Sequence, residues 1–272
     1  MKKILFISTG LSTGGAEMML SKMLSNINRD KFEPIIVSLL KTDCFGDQVV
    51  NKIAALDIPI HSLEMNPGEF SIGKFPRLLN IVRQEQPDIL QGWMYHANFA
   101  AQLASFFSFK SIPVIWNIRH SLYSLDYEKK GTAMLIRLLD KLSGFPAKII
   151  YNSQIGATQH EKIGYKPDKT IVIPNGFDIN LFQPSTENRL SLRQELGLAQ
   201  NTFLIGRICR YHPMKDHDSF LRAAALLLQD FPELHFVLAG TNVDQNNPNL
   251  SQVIEELDIG DRIHLLGERK DV

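Results

Sequence analysis

The chain has 272 residues, enough for one large or two ordinary domains with a substantial buried core. Its 29 Lys and Arg balance 29 Asp and Glu, so nothing global favours nucleic acid as a partner. Two cysteines, Cys44 and Cys209, make no disulfide framework, the apolar run Ile4 to Ile7 is too short for a signal peptide, and no stretch can span a bilayer. A soluble cytoplasmic protein is the expectation.

Residues 3–8 form a short apolar run at the start of the domain and read as a buried parallel strand. A small-residue loop containing Gly10, Gly14 and Gly15 follows. Apolar residues then fall at helical spacing at Ala16, Met19, Leu20, Met23, Leu24 and Ile27. Strand, glycine loop and helix make a phosphate-approach unit, because glycine lets backbone amides come close to a ligand oxygen. The loop is not Gly-x-Gly-x-x-Gly, since Gly10 and Gly14 are too far apart. Nor is it a P-loop, since Ala16-Glu17 stands where Lys-Ser/Thr would hold phosphate and magnesium.

Further strands are predicted at 34–39, 58–62, 88–92, 112–117, 147–152, 170–173, 203–209, 234–239 and 262–265. Helical patterns lie at 15–28, 46–55, 74–85, 97–108, 128–143, 154–163, 188–196, 216–229 and 249–258. This alternation predicts an α/β chain with parallel sheets. Turn formers cluster at Pro174-Asn175-Gly176-Phe177-Asp178 and again at Phe182 to Ser185, so a hinge is expected near 173–185. The domains are then 1–177 and 178–272. Two such domains hold ligands at the carboxyl ends of their strands, in a cleft between them.

The second strand–loop–helix series is the most informative. The apolar strand Phe203 to Cys209, with Cys209 expected to be buried in it, delivers Arg210. A loop with Pro213 follows, and Lys215 opens a helical run through Ser219, Leu221, Ala224 and Leu228. Two cations five residues apart, converging with a helix dipole, suit a phosphate or diphosphate.

Gly14-Gly15-Ala16-Glu17, Asn152-Ser153, Pro174 to Asp178, and Arg210 to Asp216 occur in that order along the whole chain. Together they resemble the retaining nucleotide-sugar glycosyltransferases of family 4. The resemblance implies a GT-B fold, with two Rossmann-like doubly wound domains facing a cleft and the second one incomplete. It implies transfer from a nucleoside diphosphate sugar to a glycan or lipid-linked saccharide, without a metal or other cofactor. Arg210 and Lys215 would grip the donor diphosphate and act in catalysis, and Gly14 and Gly15 would offer backbone amides to it. Arg269 would lie near the nucleotide base. Acceptor-side candidates are His96, beside Trp93 and Tyr95, and either Arg119 or His120.

Two acidic patterns are set aside. Asp216 and Asp218 mimic a metal-binding Asp-x-Asp but fall in the first turn of a helix, where acids face its dipole. Glu187 and Glu195 have the Glu-x7-Glu spacing of such transferases, but they precede the second domain's first strand. Residues 128–148 combine Lys129, Lys130, Arg137, Lys141 and Lys148 with apolar positions, a basic amphipathic pattern suited to peripheral contact with the inner face of a membrane.

By the resemblance a complete second domain needs on the order of ninety more residues at ~30 per βα unit. The chain therefore reads as truncated, and as inactive or nearly so on its own. A nucleotide-sugar 2-epimerase and a non-catalytic sugar-nucleotide-binding remnant are the alternatives.

Overall fold

The computed structural model describes residues 1–12, 14–42, 48–66, 72–108, 110–269 and 271, and Cys44 lies outside them. The chain divides into two compact units, Met1–Phe177 and Asp178–Val272.

In the first unit, β1 (Lys2–Ser8) carries Leu5 and Ile7 into one core cluster and Ile4 and Phe6 into another. Successive side chains of a strand point to opposite faces, so an unbroken apolar run is what a strand covered on both sides requires. β2 (Phe32–Leu40) pairs with β1 from Lys2↔Phe32 to Ser8↔Ser38. On the other side β4 (Ile89–Trp93) pairs from Ile4↔Ile89 to Ser8↔Trp93. With β3 (Ile60–Met65), β5 (Val114–Ile118), β6 (Lys148–Tyr151) and β7 (Thr170–Val172), they form a parallel seven-stranded sheet of order β3-β2-β1-β4-β5-β6-β7. The order reverses between β1 and β4, which opens a crevice at their carboxyl ends.

Helices α1 (Gly15–Ser25) and α2 (Gln48–Ala54) pack against the Phe6 face. α3 (Phe75–Glu85), α4 (Tyr95–Phe106), α5 (Lys130–Leu142) and α6 (Gln154–Lys162) supply residues to the Leu5 face. Ser153 caps α6 by accepting from the Gly156 N–H at 3.0 Å. α5 buries Ile136 and Leu139 and leaves Met134 and Leu138 exposed.

The second unit holds α7 (Thr186–Glu195), β8 (Leu204–Ile208), α8 (His217–Asp230), β9 (His235–Ala239), α9 (Pro248–Glu256) and β10 (Ile263–Leu265). Its strands form a parallel sheet of order β10-β9-β8. The expectation of a buried strand at 203–209 is corrected here. β8 is the edge of the described sheet, Ile208 is exposed, and Cys209 lies half-buried just beyond the strand.

Candidate functional site

At the switch point of the first unit, a cavity of about 260 Å³ opens beside the ends of β1 and β4. Thr9 follows β1, Glu17 comes from the first turn of α1, and Met94, Tyr95 and His96 come from the β4–α4 junction. His120 follows β5, and Glu128 and Thr132 come from the approach to α5 and its start. Two internal ties fix these elements. The Trp93 indole Nε1 donates to the Ala16 carbonyl at 2.9 Å, holding α1 against β4. The Asn98 side chain accepts from the Asn117 N–H at 3.1 Å and donates to the Asn117 carbonyl at 3.3 Å, clasping α4 to β5. Met94 takes φ 75, a left-handed conformation that an L-residue adopts at a cost of roughly 1–3 kcal/mol. It turns the chain so that Tyr95 and His96 open α4 at the cavity wall.

His96 is half-buried, and loss of solvent pushes its ring below the usual imidazole range and keeps it neutral. His120 Nε2 donates to Glu128 Oε1 at 2.8 Å. Behind the cavity the Tyr95 hydroxyl meets His160 Nε2 at 2.7 Å, while His160 Nδ1 donates to the Gly156 carbonyl at 2.7 Å. Burial holds His160 down to about 4 and raises the Tyr95 phenol far above its ordinary range. Glu17 is raised by desolvation and accepts from its own backbone N–H.

Of the two acceptor-side alternatives after β5, His120 lines the cavity. Arg119 lies over the Trp93 ring, 5.1 Å from its centroid, donates to Asn117 Oδ1 at 3.4 Å, and bonds Asn175 in the Pro174–Asp178 turn. Gly14 is the extended N-cap of α1, and its neighbour Gly15 faces open space. No side chain caps this helix start, so its first amides are left for Glu17 or a ligand.

In the second unit, Arg210 and Lys215 are both exposed and make no ion pair among the described residues. Lys215 does not open a helix as expected. It ends the short 3-10 turn Pro213–Lys215, and α8 begins at His217. Asp216 intervenes in a left-handed conformation at φ 48 and accepts from the Ser219 N–H at 3.3 Å. The helix end thus already holds a carboxylate, so the loop's appeal to an anion rests on the two side chains rather than on the dipole. Gly240 lies against the Cys209–Arg210 peptide at φ 151, where a Cβ would strike the Cys209 carbonyl.

Asp218 pairs with Arg222 of its own helix at 2.8 Å. Glu195 pairs with Arg269 at 2.5 Å, and Asp271 takes the other face of that guanidinium at 2.8 and 2.6 Å. The Arg269 nitrogens are therefore engaged within the second unit. Thr9, Glu128 and Thr132 were not singled out by the sequence as site residues, whereas Tyr95 was named beside His96. Glu17 stood in the Gly-Gly-Ala-Glu motif without a role. Glu128 lies just before α5 and Thr132 in its first turn, within the segment 128–143 whose helical pattern carried no sign of a site.

Solved structures define the class. The chain matches HepE of Anabaena in complex with UDP at TM-score 0.80 and 24% identity, covering 100% of this chain and 70% of that one. A UDP-GlcNAc 2-epimerase from Neisseria meningitidis is more distant, at TM-score 0.57 and 17% identity, with 98% and 73% covered. The architecture is that of the GT-B glycosyltransferases, enzymes that draw on nucleotide sugars. Residues 13–181 match the model described as Glycosyltransferase Family 4, and residues 188–272 match Glycosyl transferases group 1. The chain belongs to glycosyltransferase family 4. Among curated relatives it is 22% identical to putative glycosyltransferase EpsF of Bacillus subtilis, over all of this chain and 72% of that one. It is 31% identical over 109 residues to an Escherichia coli UDP-Gal:alpha-D-GlcNAc-diphosphoundecaprenol alpha-1,3-galactosyltransferase, covering 39% of this chain and 28% of that one.

Proposed function

We infer that this glycosyltransferase moves a sugar from a nucleoside diphosphate sugar to a hydroxyl of a glycan or lipid-linked saccharide, with retention of configuration. The observation that carries the reading is the pair Arg210 and Lys215, two exposed cations without acidic partners among the described residues, in the loop that follows β8. They neutralise the diphosphate as the bond to the sugar breaks, which is where charge develops. With that charge supplied by side chains, no metal is required. The acceptor oxygen bonds to the anomeric carbon on the face the diphosphate leaves, and its proton passes to a donor phosphate oxygen. No protein nucleophile takes part.

Gly15 offers its amide to the same class of ligand, whereas the Gly14 N–H, expected to do so too, already donates to the Ser12 carbonyl at 2.8 Å. His96 and His120 contact the acceptor, with Arg119 holding the loop beside them. Arg269 acts through Glu195 and Asp271 rather than as a free ligand for the base. HepE's complexes with UDP and with UDP-glucose support the donor class, and the name of the Escherichia coli relative supports a lipid-linked acceptor. Polysaccharide or glycoconjugate synthesis at the cytoplasmic face of a membrane is the setting that fits.

The test is titration of the chain with UDP, together with product analysis in UDP-glucose, UDP-galactose and UDP-GlcNAc. Micromolar UDP binding that falls at least tenfold in both Arg210→Ala and Lys215→Ala, with an α-linked product, supports the reading. Acceptor-independent epimerisation of UDP-GlcNAc overturns it, and binding with no turnover in any form of the protein marks a binding remnant.

A further inference from the structure

The side chains around the first-unit cavity carry negative charge or none. Glu17 is half-buried, makes no ion pair among the described residues, and already suffers from loss of solvent. Glu128 has only the His120 ring as a partner. His96 is held neutral by burial. Among the described residues no Lys or Arg lines the cavity; the neighbouring Arg119 stacks on the Trp93 ring and donates to Asn117 and Asn175, and its Nε is buried without a partner.

The remaining lining suits hydroxyls. The Thr9 Oγ1 is buried without a partner, and Thr132 adds a second hydroxyl-bearing side chain. Carboxylates accept O–H bonds strongly, because the acceptor is charged. The Tyr95 ring, with its hydroxyl committed to His160, adds an aromatic wall. At about 260 Å³ the cavity is smaller than the ~300 Å³ at which pockets for drug-sized ligands begin, which fits a single sugar ring.

We propose that this cavity receives an uncharged, hydroxyl-bearing sugar ring as acceptor and turns away a ring that carries phosphate there. The proposal rests on the acceptor reading of the cavity given above. A phosphate would sit beside two carboxylates in a partly desolvated space whose described lining holds no Lys or Arg, and like charges at that range repel strongly. Glu17 is the discriminating residue, because it alone combines partial burial, negative charge and freedom from a cation.

Saturation-transfer NMR on the full chain tests this with methyl α-D-glucopyranoside, methyl α-D-galactopyranoside and myo-inositol, against glucose 6-phosphate, galactose 6-phosphate and inositol 3-phosphate. At least one neutral probe should bind, its phosphorylated counterpart at least tenfold more weakly, and Thr132→Trp should abolish the neutral signal by filling the cavity. Glu17→Gln should narrow the difference at least threefold, and Glu17→Lys should reverse it. Circular dichroism of each variant separates loss of fold from loss of selectivity. Equal or tighter binding of the phosphorylated probes by the unaltered chain overturns the proposal, as does an unchanged ratio in folded Glu17→Gln. If no probe binds, the acceptor reading falls and this proposal with it, while UDP binding in the same sample reports separately on Arg210 and Lys215.

Discussion

The Tyr95 hydroxyl donates to Nε2 of His160 across 2.7 Å, and the His160 ring is wholly shielded from solvent. Since His160 Nδ1 donates to the Gly156 carbonyl, the ring must be neutral for both bonds to stand. Its folded pKa, down to about 4, lies below the unfolded value of about 6.5. The unfolded chain therefore binds the extra proton first, and stability falls with acidification from about pH 6.5 to about 4. Urea titrations across that range should show it. Tyr95→Phe should cost about 1–3 kcal/mol at pH 7.5 by leaving Nε2 buried without a partner.

The second unit should lose stability on acidification through its own histidines. His235 Nε2 accepts from Arg262 at 2.9 Å, so its Nδ1 carries the proton and donates to His264 Nε2 at 2.9 Å. Burial lowers both rings, and His264 and Arg262 push His235 further down. Each folded value lies below the unfolded one, so the contribution is present above about pH 6.5 and is lost below it. His264→Gln should flatten this dependence, read from C2-proton shifts and thermal melts between pH 7.5 and 5.

Gly240→Ala tests how the loop proposed to grip the diphosphate is held. The substitution forces a Cβ into the Cys209 carbonyl and demands an unfavourable φ. We expect a loss of about 2–4 kcal/mol in stability and at least tenfold weaker UDP binding, from displacement of Arg210. Full UDP affinity in a folded Gly240→Ala chain would separate this crossing from the donor site.

The exposed face of α5 predicts a lipid effect. Met134 and Leu138 stand in solvent near Lys130, Arg137 and Lys141, and the exposed rings of Phe106 and Phe145 meet edge to face at 5.1 Å. Among the described residues no helix is long and apolar enough to cross a membrane, and a basic face with exposed apolar side chains suits contact with an anionic lipid surface. Sedimentation with phosphatidylglycerol vesicles should exceed that with phosphatidylcholine vesicles. Leu138→Glu with Lys141→Glu should abolish the difference, and equal sedimentation with both lipids would remove this face from consideration.

The fold was legible wherever a strand or helix presents a continuous apolar signal. Residues 3–8 read as a buried strand and 34–39 as a strand from their apolar runs, and they fall within β1 and β2, which are covered on both sides. At 203–209 the same reading misjudged burial, because an edge strand can look as apolar as a central one. Lys215 was read as opening α8 two residues before the helix starts at His217, since the left-handed turn at Asp216 leaves no mark in the spacing of apolar side chains. His96 and His120 could be picked out because each follows a strand end. Glu128 could not, because its approach to His120 depends on how the connection from β5 to α5 folds back, a matter of tertiary packing.

Met94 separates two residues with different allegiances. Trp93 belongs to the cluster beneath α1 and α2, Tyr95 to the cluster beneath α4 and α5, and Met94 touches both. Among the described residues Met94 thus joins the two faces of the sheet, like a hinge pin shared by two rooms. A volume change made within the Phe6 cluster has a short mechanical route to the Tyr95 wall. On the proposed acceptor reading of the cavity, variation in that cluster would alter the fit of the sugar without changing a residue that lines the cavity.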